Sequence, residues 1–270
     1  MKKQVENLYD FCYGAENSYY KDKDITDIFH NGITPENILE ASRTVKYKEK
    51  SMFLRLPVNF ISQANARTSK SIEELLEIVE SIYKDKEFEA VLESIELSGD
   101  EYVILDVLGP FSTLLQNIDS NTLFKWLYKY KSQMHFALEK ITESLSAYIN
   151  TALSKGANII SLAEPSAIIN VIGENRYKEF VIYYIVKLLR DIESSITKNI
   201  VHICPIISYQ LESYGYLTIE VLSCQSQSYG QALIEIAQNS SIKYVGHRCI
   251  NAEHAKVDKI YALRGRLTTF

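Results

Sequence analysis

From Tyr102 onward, short apolar runs alternate with longer amphipathic stretches, and this alternation restricts the fold more than any other feature of the chain. Val103-Ile104-Leu105 and Ile159-Ile160-Ser161-Leu162 are continuous runs of strand length, the first closed by Gly109-Pro110 and the second bounded by Gly156 and Pro165. Strands are predicted over residues 102–108, 158–162, 199–204, 216–223 and 242–245, with helical patterns at 132–154, 176–192, 207–214 and 229–238 and a last helix from Ala252. Repeated strand–helix units imply parallel strands joined by crossover helices. Runs that are apolar throughout suit strands covered on both faces, in a closed barrel or in a doubly wound open sheet. Residues of special chemistry follow several different strands, at Gly109-Pro110, Glu164-Pro165, His202-Ile203-Cys204 and Cys249. Sites drawn from many strand C-termini are the habit of a (β/α)8 TIM-type barrel, and 270 residues accommodate one.

Ahead of this region, residues 1–50 are polar, tyrosine-rich and weakly periodic, and are expected to form a short peripheral helical segment beside a barrel domain at 51–270. One helix is predicted over 5–13 and another after Thr34-Pro35-Glu36, where Thr34 can cap and Pro35 fits the first turn. A strand at 52–58 leads to Ser71-Ile72-Glu73-Glu74, a capping-box signature, and then to a further helix at 87–97. With 46% hydrophobic and 23% charged residues, the composition is that of a globular protein with a sizeable core. A net charge of −5 argues against nucleic acid as a partner, since phosphate is held by clustered Lys and Arg. Neither a signal peptide after Met1-Lys2-Lys3 nor an apolar stretch of membrane-span length is visible, so a cytoplasmic protein is expected. In that setting Cys12, Cys204, Cys224 and Cys249 are candidates for metal binding, catalysis or burial rather than for disulfides.

His202 and Cys204 are two residues apart on a predicted strand and therefore point to one face, where both can hold one ion. Cys249, after the last predicted strand, is a candidate third ligand; one imidazole and two thiolates suit Zn²⁺ and leave a fourth position open. The spacing equally describes a core histidine beside a buried free cysteine. Cys224 and His247 compete as ligands, although a small buried side chain and a solvated loop histidine are the simpler readings of those two. Cys12 receives no role.

Leu108-Gly109-Pro110-Phe111-Ser112, Leu123-Phe124-Lys125-Trp126-Leu127, Gly156-Ala157-Asn158-Ile159-Ile160-Ser161-Leu162-Ala163-Glu164-Pro165-Ser166-Ala167, Tyr177-Lys178-Glu179-Phe180-Val181 and Val201-His202-Ile203-Cys204 form an ordered series. This series resembles the methylcobalamin:coenzyme M methyltransferase branch of the uroporphyrinogen decarboxylase-like superfamily, clearly over residues 102–204 and again around Cys249. The resemblance implies a (β/α)8 barrel, a zinc ion on His202, Cys204 and Cys249, and transfer of a methyl group from methylcobalamin, carried by a separate corrinoid protein, to a small thiol. It gives Glu164 the place of the family's strand-end acid, as a weak ligand, a base for the thiol proton, or a cap on the next loop. Gly109, Pro110 and Phe111 would shape the pocket floor, or simply make a turn. Trp126, Tyr128 and Tyr130 would line a docking surface, or pack against neighbours.

The chain departs from the family at Pro205, where glycine is usual, and at Gly246-His247-Arg248-Cys249, where Pro-Gly-Cys-Gly is usual. Its interval from Cys204 to Cys249 is short and its N-terminal part is reduced, so a barrel with one βα unit missing is expected. An inactive barrel that binds a corrinoid protein is the alternative, and a decarboxylase a further one. Against the decarboxylase, Arg43, Arg55 and Arg67 stand singly, as ordinary surface arginines do.

Overall fold

The computed structural model describes residues 23–29, 32–56, 58, 61, 66–225, 228–238, 241–265 and 267. Cys12 and the helix expected over residues 5–13 lie outside these. Among the described residues there are seven strands: β1 (Leu54–Leu56), β2 (Val103–Leu108), β3 (Ile159–Ala163), β4 (Ile200–Ile203), β5 (Thr218–Ser223), β6 (Tyr244–Val245) and β7 (Lys259–Arg264). They form one mixed sheet in the order β1-β2-β3-β4-β6-β7-β5. From β1 through β4 to β6 every pairing is parallel, whereas β7 runs antiparallel to both β6 and β5.

Two expectations change here. The last helix predicted from Ala252 is a short 3-10 turn, Ile250–Ala252, followed by β7. With no crossover helix in residues 246–258 to carry the chain back along the sheet, β7 returns antiparallel, which a connection of this kind permits and a parallel pairing does not. Among the described residues no ladder joins the edge strands β1 and β5. The architecture is thus α/β, a seven-stranded mixed sheet with surrounding helices, in keeping with an incomplete barrel.

Side chains alternate across the sheet as the pleat requires. Leu105, Ile160, Val201 and Tyr244 align in one row and Val107, Leu162 and Ile203 in another, both in the larger core. That core holds residues of the helices Ile72–Ser81, Lys86–Leu97, Lys131–Ser154 and Tyr183–Ile192. On the other face, Ile104, Ile159 and Ile200 belong to a second core with Tyr229, Leu233 and Ile236 of a single helix. Local signals hold where predicted: Thr34 caps Pro35–Glu49 by accepting from the Asn37 amide at 3.3 Å, and Ser71 caps Ile72–Ser81 by accepting from the Glu74 amide at 3.2 Å. The Glu74 carboxylate reaches the amide of Lys70 at 2.7 Å rather than that of Ser71, so the box is shifted by one residue.

Candidate functional site at the carboxyl edge of the sheet

The second face carries a polar row, Asp106, Ser161 and His202, paired strand to strand and continued by Val245. Asp106 interrupts an otherwise apolar strand, and its buried carboxylate has a partner. Arg55 of β1 donates from Nε and Nη2 to the two carboxylate oxygens at 2.7 Å each, and from Nη1 to Asn251. Arg55 is therefore not the surface residue expected from its isolation in sequence. The readable signal was Asp106, because a charge in a buried strand requires a counter-charge.

His202 is fully buried, and its Nε2 lies 3.1 Å from the Tyr229 hydroxyl, while Nδ1 has no hydrogen-bond partner among the described residues. Burial pushes its pKa down to about 4, against the opposing pull of the Arg248 backbone and Asp106, so the ring is neutral at pH 7. Tyr229 opens helix α1 (Tyr229–Ala237), whose start is fixed by a reciprocal capping box between Ser228 and Gln231. The guanidinium of Arg248 lies 5.4 Å from the centre of the Tyr229 ring. Burial raises the Tyr229 hydroxyl pKa, Arg248 lowers it, and the nearby Cys249 adds to the rise. The loop after β6 thus brings Arg248 and Cys249 to the tyrosine that holds His202.

Cys204 is buried as a free thiol and leads into helix α2 (Pro205–Ser213), its amide donating to the Leu162 carbonyl at 2.9 Å. Among the described residues no three His, Cys, Asp or Glu side chains converge closely enough to hold a metal ion. The donor set of His202, Cys204 and Cys249 has zinc chemistry, but among the described residues the three do not converge as a group that could hold the ion. His247 corrects another expectation: it is buried rather than solvated, with φ at 62°, its ring 4.1 Å from that of Tyr209 and Nε2 3.3 Å from a Glu212 carboxylate oxygen. Cys224 is half-buried against the second core, close to its expected role as a small apolar side chain.

A sequence profile described as uroporphyrinogen decarboxylase (URO-D) matches residues 55–247. The chain belongs to the uroporphyrinogen decarboxylase family. Its similar curated proteins are methylcobamide:CoM methyltransferases. MtbA of Methanosarcina acetivorans is 25% identical over 42% of this chain and 35% of its own length. MtbA of Methanosarcina mazei is 24% identical over 50% of this chain and 41% of its own, and MtaA of Methanosarcina barkeri 27% identical over 43% and 34%. The chain therefore spans well under half the length of the curated relatives it matches. A solved methyltransferase from Methanosarcina mazei shares the fold with a TM-score of 0.51 at 16% identity, over 64% of this chain and 56% of that one.

Family membership explains why Gly109-Pro110-Phe111 and Glu164-Pro165 occur together. Glu164 caps helix α3 (Pro110–Gln116) across the sheet, its two carboxylate oxygens accepting from the amides of Phe111 at 3.0 Å and Ser112 at 2.7 Å; in chain order this helix precedes α1 and α2. Burial pushes the Glu164 pKa up to about 7, against the pull of the Ser112 and Phe111 donors. Glu164 follows Ile160 and Leu162 in the alternation of β3, so it continues the larger-core face, opposite His202. Tyr177 is also buried, its hydroxyl without a hydrogen-bond partner among the described residues, and both Glu164 and Cys204 raise its pKa beyond the rise due to burial. At the family departure after Cys204, Pro205 fits the first turn of α2, which has no use for the missing amide. Trp126 packs inward with its ring 6.3 Å from that of Tyr130, while Tyr128 is exposed.

Proposed function

We propose that this chain transfers a methyl group from a methylated corrinoid, presented by a partner protein, to a small thiol such as coenzyme M, with residues 51–270 carrying the activity. The observation that supports it most is the carboxyl edge of the sheet. His202 and Cys204 leave β4 there, and Cys249 returns after β6 to the tyrosine that bonds His202. The relatives named for corrinoid-to-thiol methyl transfer supply the reaction class. Because the three candidate ligands do not fit zinc as arranged, no step is assigned to a metal.

The obstacle the chain must overcome is the thiol proton, since only the thiolate is a strong nucleophile. Glu164, poised near pH 7, accepts that proton; the sulfur pair forms the new bond to carbon, and the pair of the broken methyl–cobalt bond stays with the corrinoid. The Tyr177 hydroxyl, influenced by both Glu164 and Cys204, is the neighbouring group whose chemistry couples to this base. Gly109, Pro110 and Phe111 form the floor of the reaction pocket, held by the Glu164 cap.

The test is methylation of coenzyme M by methylcobalamin with the purified chain. Wild type is expected to form the thioether and Glu164→Gln to lose at least about a hundredfold in rate, the scale of removing a general base. Equal rates for both remove Glu164 as the base. A second reading, a non-catalytic partner of a corrinoid protein, is favoured by the Tyr229 hydroxyl on His202. It predicts stable binding of a corrinoid protein with no thioether formed.

A further inference from the structure

We propose that the Tyr177 hydroxyl is the seat for the sulfur of the acceptor thiol, donating its hydrogen bond to that atom while Glu164 takes the thiol proton. The proposal rests on the methyl-transfer reading above and deepens it by naming a group that touches the reacting atom. Tyr177 is 1% exposed, on the larger-core side that Glu164 also faces, and its hydroxyl has no hydrogen-bond partner among the described residues. Buried hydroxyls are nearly always paired, so a free donor beside a candidate base is a position kept for a ligand atom.

The fold holds the hydroxyl from two sides. Glu164 clamps the start of α3 through the amides of Phe111 and Ser112, and α3 packs against the π-helix Lys178–Ile182, which begins at the residue after Tyr177. Helix Lys131–Ser154 pins that π-turn in its place: His135 Nε2 lies 3.0 Å from a Glu179 carboxylate oxygen, and the His135 ring stacks on Phe180 at 4.6 Å. Single π-turns recur at functional sites. Burial raises the Tyr177 pKa far above the usual tyrosine range, and Glu164, Tyr214 and Cys204 add to the rise, so the hydroxyl is a permanent donor at neutral pH. It therefore leaves the thiol proton to the Glu164 carboxylate, keeps its own, and stabilises the negative charge forming on sulfur. The sulfur pair then bonds the methyl carbon, and the pair of the methyl–cobalt bond stays with the corrinoid. Between Glu164 and Tyr177 the chain forms only two single-turn helices, Ile169–Ile172 and Glu174–Tyr177, meeting at Gly173 with φ at 84°. This side of the seat has the fewest helical hydrogen bonds to disturb when a thiol enters.

Tyr177→Phe removes the donor and keeps the ring. The probes are coenzyme M and ethanesulfonate, the same anion without the thiol, each titrated calorimetrically into the full chain. Losing one hydrogen bond to a charged sulfur corresponds to about a tenfold loss of affinity. Tyr177→Phe is expected to bind coenzyme M about tenfold more weakly than wild type and ethanesulfonate equally well. Tyr177→Leu is the second variant should the phenylalanine protein not fold. An equal loss with both ligands, no loss with coenzyme M, or no binding of coenzyme M by wild type overturns the seat. Turnover with methylcobalamin is a separate readout. Sulfur-dependent binding without turnover keeps the seat and removes methyl transfer, whereas turnover with a KM for coenzyme M that Tyr177→Phe leaves unchanged keeps methyl transfer and removes the seat.

Discussion

Glu164 fills the space that a side chain on Gly109 would need: a Cβ built there would lie 2.2 Å from Oε1 and 2.6 Å from Cγ of the glutamate. Since Cγ is not the free end of a flexible chain, an added methyl must push the whole carboxyl group off the amides of Phe111 and Ser112. Gly109→Ala is expected to destabilise the protein by about 2–4 kcal/mol, the scale of overpacking combined with a lost buried cap. Urea unfolding of Gly109→Ala, Glu164→Ala and the double variant checks it. The double variant should be less unstable than the sum of the two, because both changes break one contact.

Opposite pH dependences are built into the two faces of the sheet. Glu164 rises from 4.5 to about 7 on folding, so it stabilises below pH 4.5 and loses that contribution as pH rises through 7. His202 falls from 6.5 to about 4, so its contribution is present above pH 6.5 and is lost as pH falls through 4. Each is on the order of 3 kcal/mol, and they offset each other across pH 4–7. Glu164→Gln should therefore lose stability relative to wild type most strongly at the acid end, and His202→Gln most strongly at the neutral end. Unfolding curves at pH 4.5 and 7 decide it; parallel profiles for all three proteins would contradict both shifts.

Breaking the Arg55–Asp106 pair from one side leaves a charge in the sheet with no counter-charge. Asp106→Ala is expected to cost about 3–5 kcal/mol, while the combined Arg55→Met and Asp106→Leu exchange should recover most of it. Chemical denaturation of the two proteins separates a structural pair, which the double exchange rescues, from one that the fold cannot replace.

Tyr177 carries a buried hydroxyl with no hydrogen-bond partner among the described residues. Tyr177→Phe is expected to raise stability by about 1 kcal/mol by removing an unpaired polar group. A fall in melting temperature instead would reveal a bound water bridging the hydroxyl toward Glu164 or Cys204, and with it a polar path for the proton of an acceptor thiol.

Much of the fold was legible because β2, β3 and β4 are short, largely apolar runs bounded by glycine or proline, and because Thr34 and Ser71 carry local capping signals. β7 was not, since Tyr261-Ala262-Leu263-Arg264 is built largely from good helix formers; tertiary pairing with Tyr244 and with residues 218–223 overrides their propensity. At the site, His202, Cys204 and Cys249 were legible as residues at strand ends. Their surroundings were not, because the Tyr229 hydroxyl that meets His202 comes from a helix start 27 positions further along the chain. Glu164 was read among other options as a surface cap on the next loop, whereas it is buried and caps residues 110–116, which precede it in the chain. Arg55 was misread because its partner is 51 positions away and no local pattern links the two.

The strand order also has a consequence for synthesis. β5 lies at the edge of the sheet and pairs only with β7 among the described strands, so residues 218–223 leave the ribosome without a neighbour until residues 259–264 follow them. A nascent chain stopped before Lys259 would display an unpaired, half-apolar edge, open to chaperones or to a second nascent chain. For this protein a later segment is the one that makes an earlier segment safe.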